Sequence, residues 1–209
     1  MRFSLEGLLR AMYLRPSNRP LISGVCTSAP AIDYIANCSN TNALTVQALA
    51  TGNLRAVPFW APKRASSLDR LAAEVTTAVA GRFFRLGLYR NVADPASFYP
   101  GALLADSGDI ESATTGIKAY AISQALEPDV LYWLTISTSN TVTIRAMSYI
   151  SCFATIGIPA GTSGTAAPFG LWIQATFTHG ALPGTFPAGG TYGGVGSTVC
   201  PALRYRFGT

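Results

Sequence analysis

Residues 131–145 read LYWLTISTSNTVTIR, and no His, Cys or carboxylate interrupts them. Almost every position is aromatic, aliphatic or a β-branched Thr, the side chains that suit a pleated, half-buried surface. Strand alternation sets Tyr132, Leu134 and Ile136 on one face and Leu131, Trp133, Thr135 and Ser137 on the other. The first face is plainly apolar and belongs against a core. The second mixes an indole with hydroxyls, a surface that suits a sugar ring or a neighbouring subunit. The simplest reading is a core strand whose second face touches another chain. Trp133 is therefore a candidate subunit or glycan contact, and Trp172 in FGLWIQATF is the other; Trp60 also lies in a strand-like run.

Further strand patterns surround this stretch. ALTVQALA and LRAVPFWA are separated by the turn-like TGN, with Pro58 marking an edge or bulge. RFFRLGLYR alternates, ALLADSGDIE reads as a short strand and turn, and TTGIKAYAIS precedes the acidic link ALEPD. TVTIRAMSYI follows residues 131–138, with Ser139–Asn140 as a hairpin turn, and LRYRF closes the chain. SLDRLAAEVTTAVAG is ambiguous, because its apolar residues fit helical spacing and strand alternation equally. Eight to ten strands without alternating helices predict an antiparallel β-sandwich, jelly-roll-like. Residues 160–200 are rich in Gly, Pro and Thr and predict long surface loops at the domain's end, anchored by Phe169, Phe186 and Tyr192.

The first segment is different. Leu5, Leu8, Leu9 and Met12 recur at helical spacing, Ser4 is available as a cap, and Pro16 ends the pattern. A short amphipathic helix and an extended arm are expected over residues 1–45, ahead of a β domain at 46–209. Such a helix must bury its apolar face elsewhere, and another chain is the favoured partner, with Leu5, Leu8, Leu9, Met12 and Tyr13 as the grip. Glu6 and Arg10 interrupt what would be the apolar core of a secretory signal, and no run is long enough to span a bilayer. Synthesis in a cytoplasm without membrane insertion is expected.

Composition excludes several function classes. Only 12% of the 209 residues are charged, and the net charge is +5. The arginines are scattered singly apart from Arg82, Arg85 and Arg90, so a nucleic-acid partner is not expected. Cys26, Cys38, Cys152 and Cys200 form no CxxC pair, which argues against a zinc or redox site, although Cys26 and Cys38 flank one loop and are able to pair if oxidised. His179 is the only histidine, so any Ser-His-Asp arrangement has to use it, and TFTHGALPG carries no nucleophile motif. Asp106, Asp109 and Glu111 form the densest acidic group, but their spacing fits a turn better than a calcium loop. No enzyme, cofactor or metal is expected.

The series NLRAVPFWAPKRASSLDRLAAEVTTA, RFFRLGLYRNV, ALLADSGDIESATTGIKAYAIS and ALEPDVLYWLTIST resembles a β-domain of tailed-bacteriophage virion surface proteins of the tail-fibre, tail-tip or head-spike type. The match rests on a segment ending in VTTA, on R-x-G-x-Y at Arg85, Gly87 and Tyr89, and on D-S-G-D leading to a YWL strand. LPGTF and the terminal LRYRF fit more loosely. The resemblance implies that SLDRLAAEVTTA is a strand. It also implies a virion structural protein whose partners are other tail or capsid proteins, with a homotrimer expected by analogy with phage spikes. Contact with a host-surface glycan would then fall to loops 91–101 and 160–198. A capsid decoration protein and a monomeric carbohydrate-binding module are the alternatives.

Overall fold

The computed structural model describes residues 33–36, 44–62, 66–94, 97–148, 172–192 and 199–208. Leu5, Leu8, Leu9, Met12 and Tyr13, the expected helix, Phe169, Cys26, Cys38 and Cys152 lie outside them. No helix occurs among the described residues, which form thirteen strands. These are β1 (Asp33–Ile35), β2 (Leu44–Leu49), β3 (Asn53–Trp60), β4 (Ser66–Thr77), β5 (Phe83–Asn91), β6 (Pro100–Glu111) and β7 (Gly116–Leu126). Then come β8 (Leu131–Thr138), β9 (Val142–Ser148), β10 (Ile173–Thr176), β11 (Thr191–Tyr192), β12 (Val199–Pro201) and β13 (Arg204–Phe207). All pair antiparallel in two sheets. The six-stranded sheet runs β11-β10-β3-β8-β5-β6. The seven-stranded sheet runs β1-β13-β4-β9-β12, with β7 on β4 and β2 on β9.

One apolar cluster draws on both sheets. Val57, Phe59, Leu86, Leu88, Tyr132, Leu134 and Ile136 come from one sheet, and Leu68, Leu71, Ala73, Val75, Ile144 and Tyr205 from the other. Phe59 stacks on Tyr205 at 4.4 Å between ring centroids, which joins the centre of the six-stranded sheet to the terminal strand. Residues 67–77 of the ambiguous segment lie in β4 and are strand, and 78–81 follow it outside any strand. Its Ala and Glu favour helix locally, but β7 pairs along one side while β13 and β9 take up the other. Those pairings override a weak local preference.

Two expected turns differ from a hairpin. TGN and Ser139–Asn140 each carry the chain from one sheet to the other, since β2 and β9 belong to one sheet and β3 and β8 to the other. At the second crossover the Ser139 Oγ accepts from Phe83 N at 2.9 Å, and Ser139 N donates to Phe83 O at 2.9 Å. The turn is thus tied to β5 and closes no β8–β9 ladder. Pro58 sits opposite Trp133 on β8, beyond residues 53–56 that pair with β10. Among the described residues only β8 pairs with β3 at this position, which suits a residue without an N–H. ALLADSGDIE is one continuous strand, not a strand and turn. Gly108 at φ 68° bends it, and the β5–β6 register shifts between Arg85 and Gly87.

Candidate functional site

The distinctive constellation lies on the outer face of the six-stranded sheet. There Leu54, Ala56, Tyr89, Leu131, Trp133, Ile173 and Ala175 form a second apolar cluster, closed by Leu182 and Phe186 from the segment that follows β10. Residues 177–190 cross this face as a strap. Its backbone is held at Leu103 N to Gly184 O (2.9 Å) and Phe186 N to Gly101 O (2.9 Å). Tyr89 Oη donates to Pro183 O at 2.8 Å and Tyr99 Oη to Pro187 O at 2.6 Å, while Gly190 N donates to Tyr99 Oη at 2.8 Å. The ring of Phe186 meets Tyr89 and Tyr99 edge-on, with centroids 5.6 and 5.7 Å apart. Burial, and then the nearby Asp106 charge, push the Tyr89 phenol well above its usual range.

The face expected to meet a sugar or another chain is thus covered by the protein itself. Trp133 is 0% exposed and Trp172 is 2% exposed. Trp133 Nε1 donates to Asn91 Oδ1 at 2.9 Å, and that same oxygen accepts from Tyr99 N at 3.0 Å. In this arrangement neither indole has a free face: Trp133 is covered in the strap-side cluster, and Trp172 belongs to the apolar cluster between the sheets. The described part of 160–198 likewise differs from an end loop. Leu182 and Phe186 are large apolar side chains, and burying them pulls the segment flat across the sheet.

R-x-G-x-Y acquires a physical meaning here, because alternation puts its three residues on the strap side of β5. A Cβ on Gly87 would lie 2.6 Å from Thr135 Oγ1 and closer still to Leu182 Cδ1, so only glycine leaves the groove that Leu182 fills. Tyr89 binds the strap carbonyl described above. Arg85 donates from Nε to Asp109 Oδ1 at 3.0 Å and from Nη1 to Asp106 Oδ2 at 3.1 Å. Asp106 Oδ2 also accepts from Leu182 N at 2.9 Å, and Asp106 Oδ1 from Gly108 N at 2.9 Å. The acidic group is therefore already engaged with the guanidinium and the strap backbone.

His179 completes this network in an arrangement the sequence did not disclose. Its Nε2 lies 3.1 Å from Asp109 Oδ1 and its Nδ1 lies 3.1 Å from Ser137 Oγ. With Asp109 accepting, the neutral ring donates from Nε2 and accepts the Ser137 hydroxyl proton at Nδ1. Ser, His and Asp in line resemble a nucleophilic triad, yet Ser137 is 1% exposed and lies under the strap. A nucleophile must reach a carbonyl carbon and have oxyanion donors beside it. This one is out of reach of solvent. What the arrangement does is tie the first turn of the strap to β8 and β6.

A second polar node sits on the outer face of the seven-stranded sheet. Glu74 accepts from Arg145 Nη2 at 2.7 Å and from Arg204 Nη2 at 2.6 Å, and Arg206 Nε donates to Asp69 at 2.7 Å. The Arg145 hydrogen bond, reinforced by both arginine charges, holds the Glu74 carboxyl below its usual range despite some desolvation. One carboxylate between two guanidiniums links β4, β9 and β13 where β4 and β9 part to admit the terminal strands. Among the described residues no group of three or more His, Cys, Asp or Glu is placed to hold a metal ion. Cys200 is buried. No described helix is long and apolar enough to cross a membrane. No protein-family model and no curated protein matches the chain.

Proposed function

We propose that the chain is a structural protein of a tailed-bacteriophage virion, anchored through residues 1–45 and presenting residues 46–209 as a homotrimeric head. A tail-fibre or tail-tip position is the first placement. The observation that carries this reading is convergence. Arg85, Gly87 and Tyr89, then Asp106 and Asp109, then Leu182, Pro183 and Phe186 belong to three separate stretches that prompted the resemblance, and they act on one another at the strap. A pattern whose parts meet in space is a unit of structure and not three coincidences.

The strand order supports the finer architecture, a jelly roll. From β2 to β9 the chain changes sheet at every connection except β5–β6, giving the four-strand orders β2-β9-β4-β7 and β3-β8-β5-β6. Viral capsid domains use that double-sheet, two-Greek-key plan. This favours a capsid decoration or head-spike protein as the second reading. A monomeric carbohydrate-binding module loses its motivating feature with the burial of Trp133 and Trp172.

Antibody labelling of purified particles by electron microscopy tests the proposal. Label at the tail supports the first placement, and label distributed over the head selects the second. If the chain is absent from intact particles, both fail. Excess purified protein should slow adsorption to host cells if the head is an adhesin, and leave it unchanged if it only decorates.

A further inference from the structure

The outer edges of the seven-stranded sheet carry an unused surface. Among the described residues β2 pairs only with β9, and β7 only with β4. These two edge strands also carry the two most exposed large apolar side chains, Val46 at 50% and Ile117 at 46%. Val46 is the cross-strand partner of Arg145, and Ile117 that of Glu74. Because Arg145 and Glu74 bond each other on the outer face, Val46 and Ile117 share that face from opposite edges.

Proteins normally blunt an edge with charge, Pro, a short strand or strong bulges. β6 shows such devices, with Asp106, Asp109, Glu111 and several register shifts. β2 has no charge at all, and β7 has only Lys118 in eleven residues. The exposed positions of these strands are small or aliphatic, with one hydroxyl: Val46 and Ala48 on β2, and Gly116, Ile117, Ala119, Ala121, Ser123 and Ala125 on β7. Among the described residues β2 carries none of these devices beyond its modest length, and β7 only Lys118 and one register shift against β4, between Leu68 and Arg70.

Their directions are also complementary. β2 is antiparallel to β9, β9 to β4, and β4 to β7, so β2 and β7 run oppositely. Rotating a second copy about an axis along the strands preserves strand direction. It therefore brings the β7 edge of one copy against the β2 edge of the next in antiparallel register, the better-bonded arrangement. The same two unlike edges recur in every copy, which makes the contact heterologous, the kind that forms a ring when the rotation between copies closes.

We propose that the occupant of these edges is a second copy of this chain. β7 of each subunit adds to β2 of its neighbour and extends the seven-stranded sheet around a three-membered ring. This deepens the homotrimer of the proposed function by naming its contact. Lys118 meets no like charge, since β2 has none, and Ile117 comes to the same outer face as Val46 across the new seam.

Light scattering on the full chain tests it, using Val46→Arg and Ile117→Arg, with Ala119→Arg as a second β7 variant and circular dichroism as the folding check. Wild type should show three times the 22.0 kDa chain mass. Each folded variant should be a monomer, because every subunit then carries one spoiled edge. Mixing Val46→Arg with Ile117→Arg leaves one intact β7 edge and one intact β2 edge, and should give a dimer of one copy each. A monomeric wild type overturns the proposal. So does a Val46→Arg protein that keeps the wild-type mass, which is the signature of β7 pairing with itself. Wild-type chain found as a monomer yet present in purified particles would reject this contact and leave the virion reading standing.

Discussion

Replacing Gly87 by Ala tests whether the strap depends on the groove in β5. The added Cβ would stand 2.6 Å from Thr135 Oγ1, nearer still to Leu182 Cδ1, and 3.3 Å from Ala105 O. Ordinary contact begins near 3.4 Å, so Leu182 and Thr135 must each retreat by most of an ångström. Thr135 is fully buried on the central strand and has little room to move. Overpacking of this kind costs about 1–3 kcal/mol. The alternative, releasing the strap, re-exposes Leu182 and Phe186 at roughly 1.5–3 kcal/mol each, so the sheet yields first and the strap loosens. For a chain of this size a loss of about 2 kcal/mol lowers Tm by roughly 4–8 °C. Hydrogen exchange locates the effect: the Leu103, Leu182 and Phe186 amides, all bonded between strap and β6, should lose protection, while those of β4 and β13 keep theirs. Leu182→Ala in the same background should recover at least about 0.5 kcal/mol relative to additivity, because the two positions touch. A melting point unchanged within a degree, with strap protection intact, would refute the seating argument.

His179→Ala should cost about 1–2 kcal/mol, since Ser137 keeps a buried hydroxyl without its partner, and exchange should accelerate at residues 177–182 ahead of the rest. Glu74→Gln should remove part of the acid sensitivity. The folded Glu74 carboxyl titrates below its unfolded counterpart, so its contribution is complete above the unfolded range near pH 4.5 and fades as pH falls through the lower folded value. Urea midpoints of wild type and variant should therefore differ most at neutral pH and converge in acid; a constant gap would count against the network. Acrylamide should quench Trp133 and Trp172 poorly in the native protein, because neither indole is exposed, and strong quenching of Trp133 alone, read in a Trp172→Phe background, would mean that the strap is open in solution.

Individual strands were legible because alternation and β-branching are local. β8, β9 and β5 fall where their patterns place them, and Pro58 lies in the part of β3 that has no second neighbour among the described residues. Partnership was not legible. Ser139–Asn140 looks like a hairpin turn, and TGN like a turn, because turn chemistry records a change of direction and not which sheet receives the next strand. For β4, helical and strand periods coincide along SLDRLAAEVTTA, and what decides is the supply of pairing partners from residues over forty positions away. The candidate site was legible only as fragments. Arg85, Gly87 and Tyr89 stood out as a spacing and Asp106 and Asp109 as an acidic group, but nothing in either pointed to His179. LPGTF was the available signal, since two large apolar residues inside a Gly/Pro-rich segment need a surface to cover.

That last point alters where self-association is to be sought. A strand with two apolar faces has two ways to satisfy the second: another chain, or a returning piece of its own. The sequence of β8 is the same in either case, because burial against a strap and burial against a subunit select the same side chains. Leu182, Phe186 and the Gly87 groove supply the returning piece here, and with it they remove Trp133 from any list of contacts. The demand for a partner then passes to surfaces that no internal segment among the described residues satisfies. These are few, because low overall charge is compatible with solubility only if the remaining apolar side chains are well covered. Val46 and Ile117, on two uncharged-faced edges of one sheet running in opposite directions, are what is left uncovered. The proposed assembly therefore joins sheets edge to edge, and the aromatic face that first suggests an interface is spent inside each subunit.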